Sequence, residues 1–466
     1  MRIGRHHEKL SAQTHHFTLE ALAGGPVPAL VEQVLGEAGL GGAYFGPLHP
    51  RFVLWLVVGL MVWRSDSIPA VFGRLVSGMR TWCEALSLKA VTDGALAHAR
   101  RRLGVAPLRR LFQSLGARVN PAPTFYGLRV WIIDGVRLTL LDTDANLKVF
   151  GRRPVGRGQA AFCELTGVSL VDAAQHLIRD AVFGLWNLSE VQAARRLIGH
   201  LVEGDLVILD RFYYGLPLFR AILTQHAHFL CRVRSNVNLR PICGTRRGCE
   251  YEAWMTGRLP WEPGELRRGW GNTKVVRLRV RVLDYRLPGH GRVRLATSLM
   301  DRKAFPAVEV VLLYHQRWEA EIAFDEIKTH QNANAHGQLQ TTFRSKTPRN
   351  VMQEAYALLV AYNLVRRTMA EAAAPQRIDP RQLSFLDSLR AIQLMIPRMQ
   401  AAPTVALPRL YAQLLADVAE TLLELWRRPR RYPRVVRVKM SHFALKRRRH
   451  KQEICDFDQL VRRIVA

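Results

Sequence analysis

Two aspartates and a glutamate in three different settings carry most of the chemistry legible in this chain. Asp134 follows the apolar run Val130-Trp131-Ile132-Ile133, and Asp210 follows Leu206-Val207-Ile208-Leu209. Such runs read as buried strands, so each carboxylate is expected at the C-terminal end of a strand. Glu321 lies in a helical stretch from Tyr314 to Lys328. At about 100° per residue, Tyr314, Arg317, Glu321 and Lys328 fall within roughly 60° of one another. One helix face would then offer a hydroxyl, two cations and a carboxylate, a set suited to a phosphodiester beside a divalent metal. Helical phase also leaves Asp325 on that face and turns Glu319 and Glu326 elsewhere.

Phosphodiester cleavage needs an activated water or hydroxyl, an in-line geometry and neutralisation of charge on the leaving oxygen. Two metal ions about 4 Å apart meet all three needs. Mg²⁺ is a hard cation that keeps waters and takes only a few carboxylates, so three acids from separate segments suffice. In this scheme Asp134 bridges both ions, Asp210 holds one and Glu321 the other. Arg317 and Lys328 neutralise phosphate oxygens, and Tyr314 orients one by a hydrogen bond. Each acid taken alone has a plainer reading. An aspartate at a strand end is commonly a turn former or helix cap, and a helical glutamate is commonly a solvated ion-pair member.

The elements that must position these residues can be read around them. Residues 1–125 look helical: Ser67 caps one short helix with Pro69 in its first turn, and Thr92 caps another that Gly104 stops. The latter carries His98, Arg100, Arg101 and Arg102, compatible either with a helix-turn-helix reader of DNA ends or with a solvated basic face. Residues 126–234 switch to apolar runs at 128–133, 136–141, 165–171 and 176–182. An amphipathic helix opens at Ser189, then come a strand at 206–209, a helix near 215–226 and a strand at 229–233. Strands joined by short loops and followed by strand-helix alternation predict a mixed α/β domain. Residues 235–298 interrupt it as a β-rich insertion. There Val276 to Val282 alternates, setting Arg277, Arg279 and Arg281 on one face as candidates to hold a phosphate backbone. Residues 299–395 resume the domain with the Glu321 helix and a long helix from Asn350 to about Ala373. Residues 396–466 form a strongly basic region, with Arg427 to Arg431 and Lys446 to Arg449 as its densest runs.

The composition bounds the partners. Over 466 residues, 68 Lys+Arg against 38 Asp+Glu give a formal charge of +30, which favours a polyanion such as nucleic acid. The longest apolar run, Phe52 to Trp63, is too short to span a bilayer and reads as a buried helix. No basic amphipathic helix faces an aromatic apolar side, so a membrane-surface role is disfavoured. The six cysteines include no CxxC pair, and free thiols without a zinc site are expected. A cytoplasmic, nucleoid-associated protein is the expectation.

The segment Tyr314-x2-Arg317-x3-Glu321-x6-Lys328 matches the Y-x2-R-x3-E-x6-K signature of bacterial transposases of the insertion sequence 4 type, which the chain resembles over nearly its whole length. Around it stand Asp134-Gly135, Asp142-Thr143-x-x-Asn146, Phe150-Gly151 and Asp210-Arg211-Phe212-Tyr213. The resemblance implies a DDE transposase: an α/β, ribonuclease H-like catalytic domain with a β-rich insertion, preceded by a helical N-terminal DNA-binding domain. It implies Asp134, Asp210 and Glu321 as ligands of two Mg²⁺ (or Mn²⁺) ions, favouring Glu321 over Asp325. It further implies cut-and-paste transposition, with cleavage at terminal inverted repeats and joining of the 3′-hydroxyl to target DNA by a dimer that pairs two ends. Many relatives pass through a hairpin with a flipped base stacked on an insertion aromatic, for which Trp254, Trp261 and Trp270 are candidates. Two positions depart from the pattern: Val136 replaces the usual small hydroxyl residue, and no Gly separates Arg211 from Phe212. The competing expectations are a structure-specific endonuclease on the same fold, which would nick without joining, and a catalytically silent DNA-binding relative.

Overall fold

A computed structural model of the chain describes residues 27–41, 48–80, 91–119, 121–156, 158–260, 273–286, 292–330, 343–423, 434–435, 444–445 and 457–465. The densest basic runs expected of the C-terminal region, as well as Trp261 and Trp270, lie outside them. In chain order come helices α1 (Val27–Glu37), α2 (Pro50–Val62), α3 (Ile68–Arg80), α4 (Asp93–Leu103) and α5 (Ala106–Gly116). Strand β1 (Arg129–Thr139) and helix α6 (Asp144–Phe150) follow, then β2 (Glu164–Asp172), β3 (Ile178–Gly184) and α7 (Glu190–Leu197). Next are β4 (Asp205–Leu209), α8 (Leu216–Thr224), β5 (His228–Arg232), β6 (Glu250–Pro260), β7 (Thr273–Arg286) and β8 (Arg292–Thr297). The chain continues with α9 (Ala307–His315), α10 (Trp318–Asp325), a π-helical turn (Glu326–His330), α11 (Pro348–Ala373), α12 (Phe385–Ala401), α13 (Leu407–Ala419) and α14 (Phe457–Val465).

These elements divide into two units. The first comprises 1–122, 134–197 and 319–422, and the second 123–133, 198–318 and 423–466.

The first unit is built on α11, whose mostly buried length packs against α2, α5, α12 and α13. Every residue of α2 is buried, as its unbroken apolar sequence demands. The N-terminal helices therefore share this unit's core. Thr92 accepts from the Ala95 amide and caps α4, and Gly104 ends it at φ 71°, a backbone that favours glycine. Arg100 on α4 points inward, 4% exposed, and bonds Gln353, Ser345 and Glu354. Arg102 reaches the Leu48 carbonyl at 2.8 Å, and His98 and Arg101 are exposed on that helix. β2 and β3 pair antiparallel, with the second half of β1 beside β2.

The second unit carries the parallel strands. Residues 129–133 of β1 pair in parallel with β4, and β4 with β5, through the crossover helix α8. β8, β7 and β6 continue the order antiparallel from β5. Where a β-rich insertion is expected, the described residues form a run of antiparallel strands added to the edge of β5. At the far end of the chain, α14 packs on α9, where Arg462 meets Glu309 at 2.9 Å.

Candidate active site

Asp210 stands where the sequence places it, directly after β4. Its Oδ1 accepts from the Arg211 amide at 2.6 Å and caps a short 3₁₀ turn, Arg211–Tyr213. Its carbonyl accepts from the buried Cys231 thiol on β5 at 3.4 Å. Arg234 donates to the carbonyls of Arg211 and Phe212 and fastens the same turn. Tyr314, at the end of α9, is buried beside these groups. Burial first, and then the charges of Cys231 and Asp210, drive its phenol well above the usual range, while Arg317 and Arg232 oppose them. Its hydroxyl therefore stays protonated and available as a donor. The second unit accordingly brings together Asp210, Tyr314 and the half-buried Arg317.

Asp134, Glu321 and Lys328 belong to the first unit. Asp134 does not end a strand: β1 runs on through Asp134-Gly135 to Thr139. The apolar run stops at Asp134, but the backbone ladder does not, because burial pattern and strand length are separate properties. Its Oδ1 accepts from the Gly135 amide at 2.8 Å. Gly135 packs so tightly on the Glu190 carboxylate that a Cβ there would lie 2.7 Å from an oxygen. Lys328 sits in the field of Asp134. Burial lowers its pKa, Asp325 and Asp134 oppose the fall, and Arg137 adds to it. Asp325 itself is exposed and Glu321 half-buried.

The single continuous helix face expected for Tyr314, Arg317, Glu321 and Lys328 is not present. α9 ends at His315, α10 begins at Trp318, and Lys328 lies in the π-helical turn. A uniform 3.6-residue period therefore does not hold across the signature, whose four residues divide between the two units. Among the described residues, no three His, Cys, Asp or Glu side chains gather closely enough to hold a metal ion. By type, the three half-buried carboxylates fit a hard, oxygen-seeking divalent cation. Sequence phase turned Glu319 and Glu326 away from the expected signature face, and both enter a buried network with His176 and Arg366 that no sequence signal announced.

The arginines of β7 separate from one another. Arg277 is exposed, and Arg279 is half exposed and ion-paired with Glu252. Arg281 departs from expectation. It is 0% exposed, its Nε lies 2.8 Å from Glu250, and it donates to the carbonyls of Leu299 and Phe305. Strand alternation assigns its face correctly, but α9's approach loop covers that end of the strand. Trp254 on β6 faces Arg279 in register and is 50% exposed. Cys163, Cys231, Cys243 and Cys249 are free thiols.

Comparison with known proteins decides the family. Residues 127–364 match the family model of the transposase DDE domain, and residues 17–113 that of the insertion element 4 transposase N-terminal region. The chain belongs to the insertion sequence 4 group of DDE transposases. It is 30% identical over 423 residues to transposase InsG for insertion sequence element IS4 of Escherichia coli, covering 88% of this chain and 90% of that one. Putative transposase InsZ of the same species is 25% identical over 192 residues, covering 40% of this transposase and 62% of that protein. A piggyBac transposase synaptic complex with hairpin DNA aligns with TM-score 0.45 at 12% identity, covering 87% of this chain and 85% of that one. The transposase has no helix, among its described residues, long and apolar enough to cross a membrane.

Proposed function

We propose that this DNA transposase moves its element by cut-and-paste: it cleaves at terminal inverted repeats and joins the freed 3′-hydroxyl to target DNA. The reading rests on the signature Tyr314-x2-Arg317-x3-Glu321-x6-Lys328 in a chain of this family. An antiparallel pair beside β1 in one unit and the parallel trio β1-β4-β5 in the other support a ribonuclease H-like catalytic domain with β6–β8 as its insertion.

Asp134, Asp210 and Glu321 would hold divalent ions, Mg²⁺ or Mn²⁺, which when bound supply an activated oxygen nucleophile and neutralise the leaving oxygen. The chain's own residues then orient the DNA. The backbone amides of Gly135 and Arg211 fix the rotamers of the two aspartates. Tyr314, kept protonated, donates to a phosphate oxygen, and Arg317 beside it offsets that oxygen's charge. Lys328 plays the matching part beside Asp134. Arg277 and Arg279 track the phosphate backbone along β7, and exposed Trp254 stands among them as an aromatic platform. Two element ends call for two copies of the chain in the active complex.

The test is strand transfer. A duplex carrying the inverted repeat that borders the reading frame, pre-cleaved at its 3′ end, is incubated with supercoiled plasmid and Mg²⁺. Covalent joining is expected. Efficient nicking without joining would instead identify a structure-specific nuclease.

A further inference from the structure

In the first unit the side chains of Glu319, His176, Arg366 and Glu326 are wired in series. Glu319 on α10 meets His176 Nε2 at 2.7 Å. His176 Nδ1 meets an Arg366 terminal nitrogen at 2.7 Å. Arg366 grips Glu326 through Nε at 3.0 Å and through the same terminal nitrogen that meets His176. Tyr362, one turn earlier on α11, donates to the same carboxylate at 3.0 Å, and the guanidinium lies over the Phe385 ring. The wiring thus leaves the signature at Glu319 and returns to it at Glu326, the residue that opens the π-helical turn.

The protonation pattern comes from donor arithmetic. Arginine has no acceptor, so the Nδ1 it faces must carry a lone pair, and the imidazole proton must sit on Nε2, donated to Glu319. His176 is therefore a neutral bridge of one tautomer, its direction set at both ends. Its backbone is held at φ 62° in the tight β2–β3 connection, a conformation uncommon for histidine, and its side chain is 0% exposed. Strain at such a residue persists where its surroundings over-determine it. Burying this ionic chain is also costly against an apolar filling, so its worth lies in geometry more than in stability. π-helical turns concentrate at functional sites, where the extra residue resets the helical phase of the side chains beyond it.

We infer that the Glu319–His176–Arg366–Glu326 chain is a positioning device that fixes the π-helical turn and so the placement of Lys328 relative to Glu321. The inference rests on the catalytic reading of those two residues. Glu319 gives the cleanest test because its side chain is 16% exposed, whereas neutralising Glu326 strands a buried arginine and endangers the fold. In Mn²⁺-dependent nicking of supercoiled plasmid by the full chain, Glu319→Ala should lower kcat roughly 10- to 100-fold with the half-saturating plasmid concentration unchanged. Glu319→Gln, which still accepts from His176, should recover to within a few-fold of the parent. Amide exchange of 326–330 should rise in Glu319→Ala and return in Glu319→Gln, while the middle of α11 keeps its protection. A fully active Glu319→Ala, a Glu319→Gln as impaired as the alanine, or unchanged exchange at 326–330 would overturn the inference. Asp134→Asn serves as the separate control. If it nicks normally, the catalytic reading fails, and the exchange measurement alone then judges the positioning chain.

Discussion

Asp134 and Asp210 each turn one carboxylate oxygen onto the next residue's amide, at 2.8 and 2.6 Å, so the local backbone orients both carboxylates. Asp134→Asn, Asp210→Asn and Glu321→Gln keep the volume and lose the charge. Each is expected to lower end cleavage by on the order of 10³-fold while the melting temperature and DNA binding hold, as read by gel assay beside a filter-binding control. Asp172 answers to pH instead. Burial pushes its carboxyl up to about 6 from the ordinary 3.8, although the Ala174 amide pulls it down. The folded chain therefore holds that proton more tightly than the unfolded one. The stability this group contributes is complete below pH ~4 and lost as pH rises through the folded value. Asp172→Asn keeps an acceptor for Ala174 and abolishes the ionisation. It is expected to change little near pH ~4 and to stabilise by roughly 2–3 kcal/mol near pH ~8, measured by urea unfolding at both. What was legible at this scale was residue type and order. The network partners His176 and Arg366 were not legible, because nothing local marks a histidine that will be buried at positive φ.

Among the elements, legibility followed how self-contained each signal was. Thr92 and Gly104 bracket α4 by chemistry that needs no neighbours, and the apolar run of α2 leaves it no surface to occupy. The break between α9 and α10 and the π-helical turn after Asp325 carry no comparable mark, since the chain there keeps helical composition while tertiary partners reset its phase. In the same way β1 continues past Asp134 because its neighbours supply the ladder, not because Asp-Gly favours a strand. One close approach offers a sharp check. A Cβ on Gly116 of α5 would collide with the Arg179 carbonyl of β3. Gly116→Ala is expected to cost on the order of 3 kcal/mol in urea unfolding, since backbone atoms on both sides leave no side chain to yield.

For the whole molecule the dominant fact is a formal charge of +30, a field that draws phosphate wherever cations are exposed. DNA affinity is expected to fall by roughly 10³-fold or more between about 50 and 200 mM salt. Arg277→Ala with Arg279→Ala should reduce the slope of log affinity against log salt by about 2, measured by fluorescence anisotropy on duplex DNA. Arg281→Ala should instead show itself as lost stability, because Glu250 and two carbonyls hold that guanidinium. We propose that Asp134, Asp210 and Glu321 together hold the divalent ions of this transposase. Ferrous iron in place of magnesium, with ascorbate and peroxide, cuts the backbone beside wherever the metal binds. Cuts next to all three acids, suppressed by excess Mg²⁺ and lost together in Asp210→Asn, are the expected result. Cuts beside only one acid, or cuts at 134 and 321 that persist in Asp210→Asn, would contradict a shared metal site.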